Sequence, residues 1–164
     1  MSRLEDRGTI WYLATIEDVA TRQVIAKRIG KRHDSHLVLA TLQHALATGH
    51  QPQIFHSDQG TEFMAQRCTD YLEQRAVLVS VSDIAAPWQN GYIESFYGRL
   101  KHEIGDLNRF ESPGEMIEAV YCHIHCLQVI LRVGNALYAE RSRRQHRTVG
   151  GRVDGRVERW RCCR

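Results

Sequence analysis

The order of strand-like and helix-like segments is the feature of this sequence that most constrains its fold. Residues 10–16 and 23–29 are rich in β-branched and aromatic residues or alternate between apolar and polar, as strands do. The polar residues between them predict a turn, so the two strands should pair antiparallel. Helical and strand patterns then alternate, which gives the predicted order β-β-α-β-α-β-α-α. This order favours an α/β fold in which helices pack on a mixed sheet.

Local signals place the ends of the later elements. A helix begins at Asp34 or Ser35, either of which can cap it, and ends at Gly49. A capping box that begins at Ser112 opens the last helix. The pattern between these two helices predicts a strand over residues 53–57, a helix over about residues 62–75, a strand over residues 77–81, and a helix from Asn90 to about Ile104.

The composition is that of an ordinary folded protein. The chain has 164 residues, of which 43% are hydrophobic and 25% charged, so we expect one domain. No apolar run approaches the roughly 20 residues that a membrane span requires, and the first residues lack the apolar core of a signal peptide. The five cysteines form no Cys-x-x-Cys pair, which favours reduced thiols and a cytoplasmic protein. Cys122 and Cys126 are expected on a buried helix face rather than in a metal site.

The net charge of +3 is unevenly distributed along the chain. Residues 129–164 contain ten Arg, no Lys and three acids, whereas residues 1–128 contain more acids than bases. Such a basic segment is typical either of an attraction to phosphate or of a solvated, disordered tail. We therefore divide the chain into a domain over residues 1–128 and an Arg-rich tail over residues 129–164.

Two carboxylates stand out as candidates for chemistry. Asp58 follows the strand predicted over residues 53–57, at a point where Gly60 lets the backbone turn close to a ligand. Glu94 lies at the margin of the apolar stripe of its predicted helix, with Lys101 seven residues further on and so on the same face. Carboxylate oxygens suit a hard cation such as Mg²⁺, and a nearby Lys suits phosphate. Taken singly, each acid could instead belong to a turn or to a solvated helix face.

The segments that surround these two acids carry a specific resemblance. The block from His56 to Phe63, which reads His-Ser-Asp-Gln-Gly-Thr-Glu-Phe, resembles the one around the second catalytic Asp of retroviral-type integrases and insertion-sequence transposases. The block from Pro87 to Lys101 resembles the one that carries their catalytic Glu. The 35 residues between Asp58 and Glu94 match the spacing of this family of DDE enzymes. The resemblance covers about residues 3–126.

The resemblance implies a ribonuclease-H-like fold, with a mixed sheet and helices on both sides. It implies DNA integration or transposition, in which Mg²⁺ (or Mn²⁺) held by three carboxylates promotes DNA strand cleavage and transfer. Asp58 and Glu94 match two of the three catalytic and metal-ligating positions. Lys101 matches a basic position that faces the DNA backbone, and Asn90 would shape the turn that enters the helix and contact DNA. The partners implied are the DNA ends of a mobile element and their target, with no membrane, and a homo-oligomer in the parent protein.

The sequence departs from the family at both ends. The third carboxylate should lie on a central strand upstream of residues 10–16, but few residues precede that segment, and Glu5 and Asp6 fall where a hairpin turn is expected. Asp18 is a weak substitute, because it lies at the end of the next strand. The first catalytic Asp and most of the central strand are therefore expected to be missing. Two strand edges would then be left without a neighbour, and the chain would be inactive.

The composition after about residue 126 also leaves the family pattern. The change to a segment with Arg but no Lys looks like a change of reading frame in the gene. A reading of the gene in its other two frames beyond this point would show whether either continues the family pattern. Three alternatives stay open for the chain, namely a non-catalytic nucleic-acid-binding remnant, a ribonuclease-H-like nuclease, and an inert globular or misfolded product.

Overall fold

The computed structural model of the chain describes residues 1–83 and 91–146, together with the backbone of Arg159–Cys162. Side chains are described as far as residue 129. The strands are β1 (Ser2–Asp6), β2 (Thr9–Asp18), β3 (Val24–Gly30), β4 (Ile54–Ser57), β5 (Leu78–Val81) and β6 (Arg159–Cys162). The helices are α1 (Ser35–Ala47), α2 (Gln66–Glu73), α3 (Gly91–Ile104) and α4 (Pro113–His146), with a 3₁₀ turn over Leu107–Arg109.

The predicted α/β class is confirmed, and each predicted strand and helix is present. Asp34 caps α1 by accepting a hydrogen bond from the backbone N–H of Leu37, as the sequence suggested. Two strands were not predicted, β1 and β6. Glu5 and Asp6 are the last residues of β1 rather than part of the turn, which Arg7 and Gly8 form instead. Asn90, the proposed cap of α3, lies outside the described residues.

The sheet is mixed, and β2 has neighbours along both of its edges. β3 pairs with one edge, antiparallel. β1 and β6 both pair antiparallel with the other edge, β1 with residues 9–13 and β6 with residues 16–18. β6 also pairs parallel with β4, which pairs parallel with β5. The C-terminal strand therefore lies in line with β1 and joins the two halves of the sheet.

The registers of these pairs define rows that run across the sheet. Cys162 of β6 lies opposite Ile16 of β2, and Arg161 lies opposite His56 of β4. If both registers are extended to the next row, Thr15 of β2 becomes level with Asp58, the residue that follows β4. Ser2 lies opposite Leu13, so Met1 is level with Ala14, whereas the end of β6 is level with Ile16. The row of Thr15 and Asp58 therefore lies between Met1 and the end of β6.

Two hydrophobic cores form, one on each face of the sheet, because the side chains of β2 alternate between the faces. Ala14 and Ile16 pack with α1, α2 and Phe55 of β4. Trp11 and Leu13 pack on the opposite face, against the apolar stripes of α3 and α4. Burying each large apolar side chain contributes about 1.5–3 kcal/mol. The members of the second core that α3 and α4 supply include Ile93, Tyr97, Leu100, Ile104, Met116, Val120 and Ile124.

Helix α4 extends well past the apolar residues that predicted it. It runs from Pro113 to His146 and so crosses the proposed boundary at residue 128. The division of the chain into a domain and a tail stays a prediction. Cys122 and Cys126 are exposed on α4, so their expected burial was wrong. No helix within the described part of the chain is long and apolar enough to span a membrane.

The position of β6 predicts that the sheet depends on the C-terminal segment. We expect Arg161→Pro to lower the free energy of unfolding by about 2 kcal/mol or more, because proline removes an N–H from a strand that has neighbours on both sides. Chemical denaturation of the full chain measures this change. Arg152→Pro, which lies outside β6, is the matched control. Equal stability of the two variants would contradict a structural role for β6.

Candidate functional site

Asp58 is held at the point where β4 ends and the chain turns. Its side chain is 5% exposed. The Oδ1 atom accepts a hydrogen bond of 2.8 Å from the backbone N–H of Gly60, which closes a tight turn. Two backbone bonds then lead into the next segment, because Phe63 and Met64 both donate to the carbonyl of Gly60. The sequence Asp-Gln-Gly therefore fixes the carboxylate at the strand end.

Gly60 leaves room for two carboxylates beside the same backbone atom. A Cβ added at this position would lie 2.9 Å from Oδ1 of Asp58 and 2.9 Å from Oε1 of Glu62. Glu62 is 8% exposed, and its Oε1 lies 3.4 Å from Nε2 of His33. The sequence reasoning missed Glu62 as a member of this site. Its position two residues after the glycine of the Asp-Gln-Gly turn is the signal that could have found it.

Helix α3 is fixed over the sheet by one buried tyrosine. The hydroxyl oxygen of Tyr97 lies 2.7 Å from Oγ1 of Thr15 and 3.3 Å from the carbonyl oxygen of Leu13. Both bonds form when Thr15 donates to Tyr97 and Tyr97 donates to Leu13. Thr15 shares its row of the sheet with Asp58, so this contact sets the level of α3 relative to Asp58.

The two flanks of α3 face different neighbours. Arg99 and Glu103 lie on the flank towards α4, where the carboxylate of Glu103 lies 2.9 Å from Nε2 of His123. A cleft of about 250 Å³ opens on this flank between Arg99, Tyr92 of α3 and Arg22 of the β2–β3 turn. The guanidinium of Arg22 stacks on the Tyr92 ring at 3.1 Å from its centroid. This flank of α3 therefore packs against α4 and the β2–β3 turn.

Glu94 and Lys101 lie on the opposite flank. Since each helical residue advances the side chain by about 100°, both point roughly 50° from Tyr97 on the side away from α4. Lys101 is exposed and lines a cleft of about 270 Å³ that Arg3 and Glu5 of β1 also line. Glu94 is exposed in the first turn of α3, one helical turn before Tyr97. The flank that carries both residues thus faces β1.

Asp58 and α3 lie on the same face of the sheet. Neighbouring residues in one row point to the same face, and Thr15 points to α3. Asp58 therefore belongs to the face that α3 covers, and Glu94 lies on the flank of α3 away from α4. Asp58 and the helix that carries Glu94 therefore share one face of the sheet.

The other acids considered from the sequence lie elsewhere. Asp18 is three rows from the row of Asp58, about 10 Å along the strands. Its carboxylate caps the β2–β3 turn by accepting hydrogen bonds from the hydroxyl of Thr21 at 2.5 Å and the N–H of Ala20 at 3.0 Å. Asp6 lies opposite Thr9, six rows or about 20 Å away. Neither acid reaches the row in which a third carboxylate would be needed.

The part of the chain that the structure describes contains no group of three or more His, Cys, Asp or Glu side chains arranged to hold a metal ion. Cys68 offers no reactive thiol here, because burial raises its pKa to about 11, although the charge of Arg67 acts in the opposite direction. The proposed DNA contact Asn90 lies among the residues that are not described. The described donors near the row of Asp58 are carboxylates, the ligand type that Mg²⁺ prefers.

Comparison with solved structures defines the class of fold. The integrase in the simian T-cell lymphotropic virus intasome structure superposes with a TM-score of 0.63 over 73% of this chain and 44% of its own, at 19% identity. The catalytic core domain of HTLV-2 integrase, solved with magnesium, gives a TM-score of 0.60 over 75% of this chain and 77% of its own, at 15% identity. The fold is ribonuclease-H-like, as the resemblance implied.

Sequence comparison gives the family. The family model described as the integrase core domain matches residues 3–87, more than half of the chain. The chain belongs to the integrase core domain family. A curated relative from Lactococcus lactis subsp. lactis, the transposase for insertion sequence element IS904, is 32% identical over 71% of this chain and 47% of the relative.

A second relative shows the same partial coverage. The putative transposase InsK for insertion sequence element IS150, from Escherichia coli K12, is 28% identical over 69% of this chain and 41% of its own length. The chain thus spans about half the length of the curated relatives that it matches. The match to the family model covers residues 3–87, which include β2 to β5 and Asp58.

The crowding at Gly60 yields a stability prediction. We expect Gly60→Ala to lower the free energy of unfolding by about 1–3 kcal/mol, because the new methyl group must displace the carboxylates of Asp58 and Glu62. Thermal or chemical unfolding of the full chain measures the difference. Gly98→Ala on α3 is the matched control, since no atom lies within 4 Å of its added Cβ. Alanine there should stabilise the helix by roughly 0.5–1 kcal/mol. A Gly60→Ala variant as stable as the wild type would show that the two carboxylates are not held beside this glycine.

Proposed function

We propose that this chain is part of the catalytic core of a DNA transposase, that it binds DNA and a divalent cation, and that alone it does not cleave or join DNA strands. The observation that carries the proposal is that Asp58 and α3, the helix that bears Glu94 at the family's spacing, share one face of a ribonuclease-H-like sheet. Membership of the integrase core domain family supports the same function. A role on DNA also supports the cytoplasmic location expected from the sequence.

The donor set suits one divalent ion better than two. Asp58 and Glu94 supply carboxylate oxygens, which Mg²⁺ and Mn²⁺ accept as ligands. An ion held there would act as a Lewis acid on a phosphate oxygen. The protein itself holds Asp58 in a fixed position through the Gly60 turn and leaves Glu94 exposed to the sugar-phosphate backbone of DNA.

The inactivity follows from the row that Asp58 shares with Thr15. A third ligand that joined the pair would have to lie in the middle of that row, between the end of β6 and Met1. Asp18 and Asp6 lie three and six rows away, and the carboxylate of Glu62, beside Gly60, pairs with His33 at 3.4 Å instead. Phosphoryl transfer depends on positioning and on electrostatic stabilisation, so an incomplete ligand set removes much of the rate.

The DNA-binding part of the proposal depends on Lys101. This residue is exposed and lies on the same flank of α3 as Glu94, beside Arg3 of β1. A cation on that flank suits a backbone phosphate that approaches the two carboxylates. In the parent protein, DNA of the element ends and of the target would occupy this surface. The relatives solved as an intasome and as trimeric or dimeric cores support the proposal that the parent protein forms a homo-oligomer.

Metal binding provides the direct test of the site. We expect the full chain to bind Mn²⁺, and Asp58→Ala to abolish that binding, because the variant removes the best-ordered ligand. Electron paramagnetic resonance of free Mn²⁺ during a titration measures the affinity. Asp70→Ala is the matched control, since Asp70 lies on α2 and its carboxylate accepts a hydrogen bond of 2.6 Å from the side chain of Gln66.

The same samples test the lack of activity. With supercoiled DNA and either Mg²⁺ or Mn²⁺, the wild-type chain should produce no nicks and no joined strands. Cleavage that Asp58→Ala abolishes would refute the proposed inactivity and would point to the nuclease alternative. A chain that binds DNA but no Mn²⁺ would favour the alternative of a non-catalytic nucleic-acid-binding remnant.

The orientation of α3 predicts a difference between two of its basic residues. Lys101→Ala should weaken DNA binding and lower the slope of log affinity against log salt by about one, the loss of one phosphate contact. Arg99→Ala is the matched control on the opposite flank, where Arg99 pairs with Glu103 at 3.6 Å. Fluorescence anisotropy with a labelled duplex at several salt concentrations measures both slopes. An unchanged slope for Lys101→Ala, or an equal loss for Arg99→Ala, would contradict this orientation.

A further inference from the structure

His56 is held by two serines at the end of the sheet that carries Asp58. It lies on β4 two residues before Asp58, and its ring is partly buried. The Nδ1 atom is 3.0 Å from the hydroxyl of Ser80 on β5, and the Nε2 atom is 3.0 Å from the hydroxyl of Ser82 just beyond β5. Both ring nitrogens are therefore bonded to neighbouring serines, which fixes the orientation of the imidazole.

Ser82 in turn holds the backbone on both sides of Asp58. Its N–H donates to the carbonyl of Ser57 at 2.9 Å, and its hydroxyl lies 3.3 Å from the same oxygen. Its own carbonyl accepts a hydrogen bond of 3.2 Å from the side chain of Gln59. Ser82 is 5% exposed, so these bonds are shielded from water. Asp58 thus lies between two residues that are both bonded to Ser82.

This arrangement matters because the strands beneath Asp58 are short. β4 and β5 each have four residues, and β5 pairs only with β4 among the described strands. Strands of this length at the edge of a sheet fray easily, since few ladder bonds hold them. A carboxylate at the end of such a strand needs further support to keep one position.

We propose that His56 and Ser82 form a positioning pair for Asp58, which we call the serine clasp, and that the clasp tunes the affinity of the site for a divalent cation. His56 orients the Ser82 hydroxyl towards the carbonyl of Ser57, and the backbone N–H and carbonyl of Ser82 bond Ser57 and Gln59 on either side of the carboxylate. The inference rests on the proposed metal-binding function. It goes beyond that function, because it assigns a role to residues that do not themselves bind the ion.

Ser80 provides an internal control for this role. Its hydroxyl bonds the same imidazole, but no described bond joins that hydroxyl to Ser57, whereas the Ser82 hydroxyl lies 3.3 Å from the Ser57 carbonyl oxygen. A role in sheet stability alone would make Ser80 and Ser82 similar. A positioning role makes Ser82 the important one. His56→Gln offers a conservative rescue, because the amide group can still reach the Ser82 hydroxyl.

The experiment uses the full chain and two readouts. The first is Mn²⁺ affinity, measured by electron paramagnetic resonance. The second is hydrogen exchange of the Gly60 amide, measured by NMR, because that N–H donates to Asp58 and reports directly on the carboxylate. We expect Ser82→Ala and His56→Ala to weaken Mn²⁺ binding about 10-fold or more, the range found when groups that support metal ligands are removed. Both variants should also speed Gly60 exchange, whereas Ser80→Ala and His56→Gln should stay close to wild type in both readouts.

The outcomes separate the clasp from the proposed function. Equal effects of Ser80→Ala and Ser82→Ala, or effects that only follow the loss of thermal stability, would overturn the clasp while leaving metal binding in place. If the wild-type chain binds no Mn²⁺, the proposed function fails, and Gly60 exchange then decides the clasp alone. Faster exchange in Ser82→Ala but not in Ser80→Ala would support it, and unchanged exchange in both would overturn it.

Discussion

The row of the sheet that aligns Thr15 with Asp58 is the constraint on which the rest of the structure depends. On one side, Thr15 binds Tyr97 and so fixes α3 at this level. On the other side, Asp58 is closed into its turn by Gly60. Because α3 is pinned by Tyr97 and packs against α4 on one flank, its other flank carries Glu94 and Lys101 towards β1. The relation between an acid on a strand and an acid on a helix, far apart in the sequence, thus follows from one buried hydrogen bond and the register of three strands.

The sequence was sufficient for the elements from β2 to α4 and for the position of Asp58 directly after β4, because their signals are local. Caps, glycine turns and apolar periodicity mark α1, β4 and α3 within a few residues each. The blocks around Asp58 and Glu94 identified the family, which the family match confirmed. Glu62 escaped notice because its approach to Asp58 depends on the three-dimensional turn at Gly60 rather than on periodicity. The exposure of Cys122 and Cys126 was also missed, since their spacing on α4 does not show which face the sheet covers.

The centre of the sheet shows where reasoning from the sequence reached its limit. A missing central strand should leave β2 and β4 without a neighbour, and the sequence offered no reason to look for one in the Arg-rich segment. The structure fills that place with β6, which pairs antiparallel with β2 and parallel with β4. Strand pairing depends mainly on backbone groups, so residues with no family pattern can satisfy the ladder. The described residues place no carboxylate in the middle of the Asp58 row.

The central claim is that Asp58 and Glu94 converge on one cation across the sheet and α3. Crystals of the full chain soaked in Mn²⁺ and measured for anomalous scattering test this claim most directly. We expect a single strong anomalous peak within about 2–2.5 Å of carboxylate oxygens from both Asp58 and Glu94. A peak bound elsewhere, or carboxylates of Asp58 and Glu94 more than roughly 10 Å apart in the soaked crystal, would contradict it, since even a two-metal centre is only about 4 Å across.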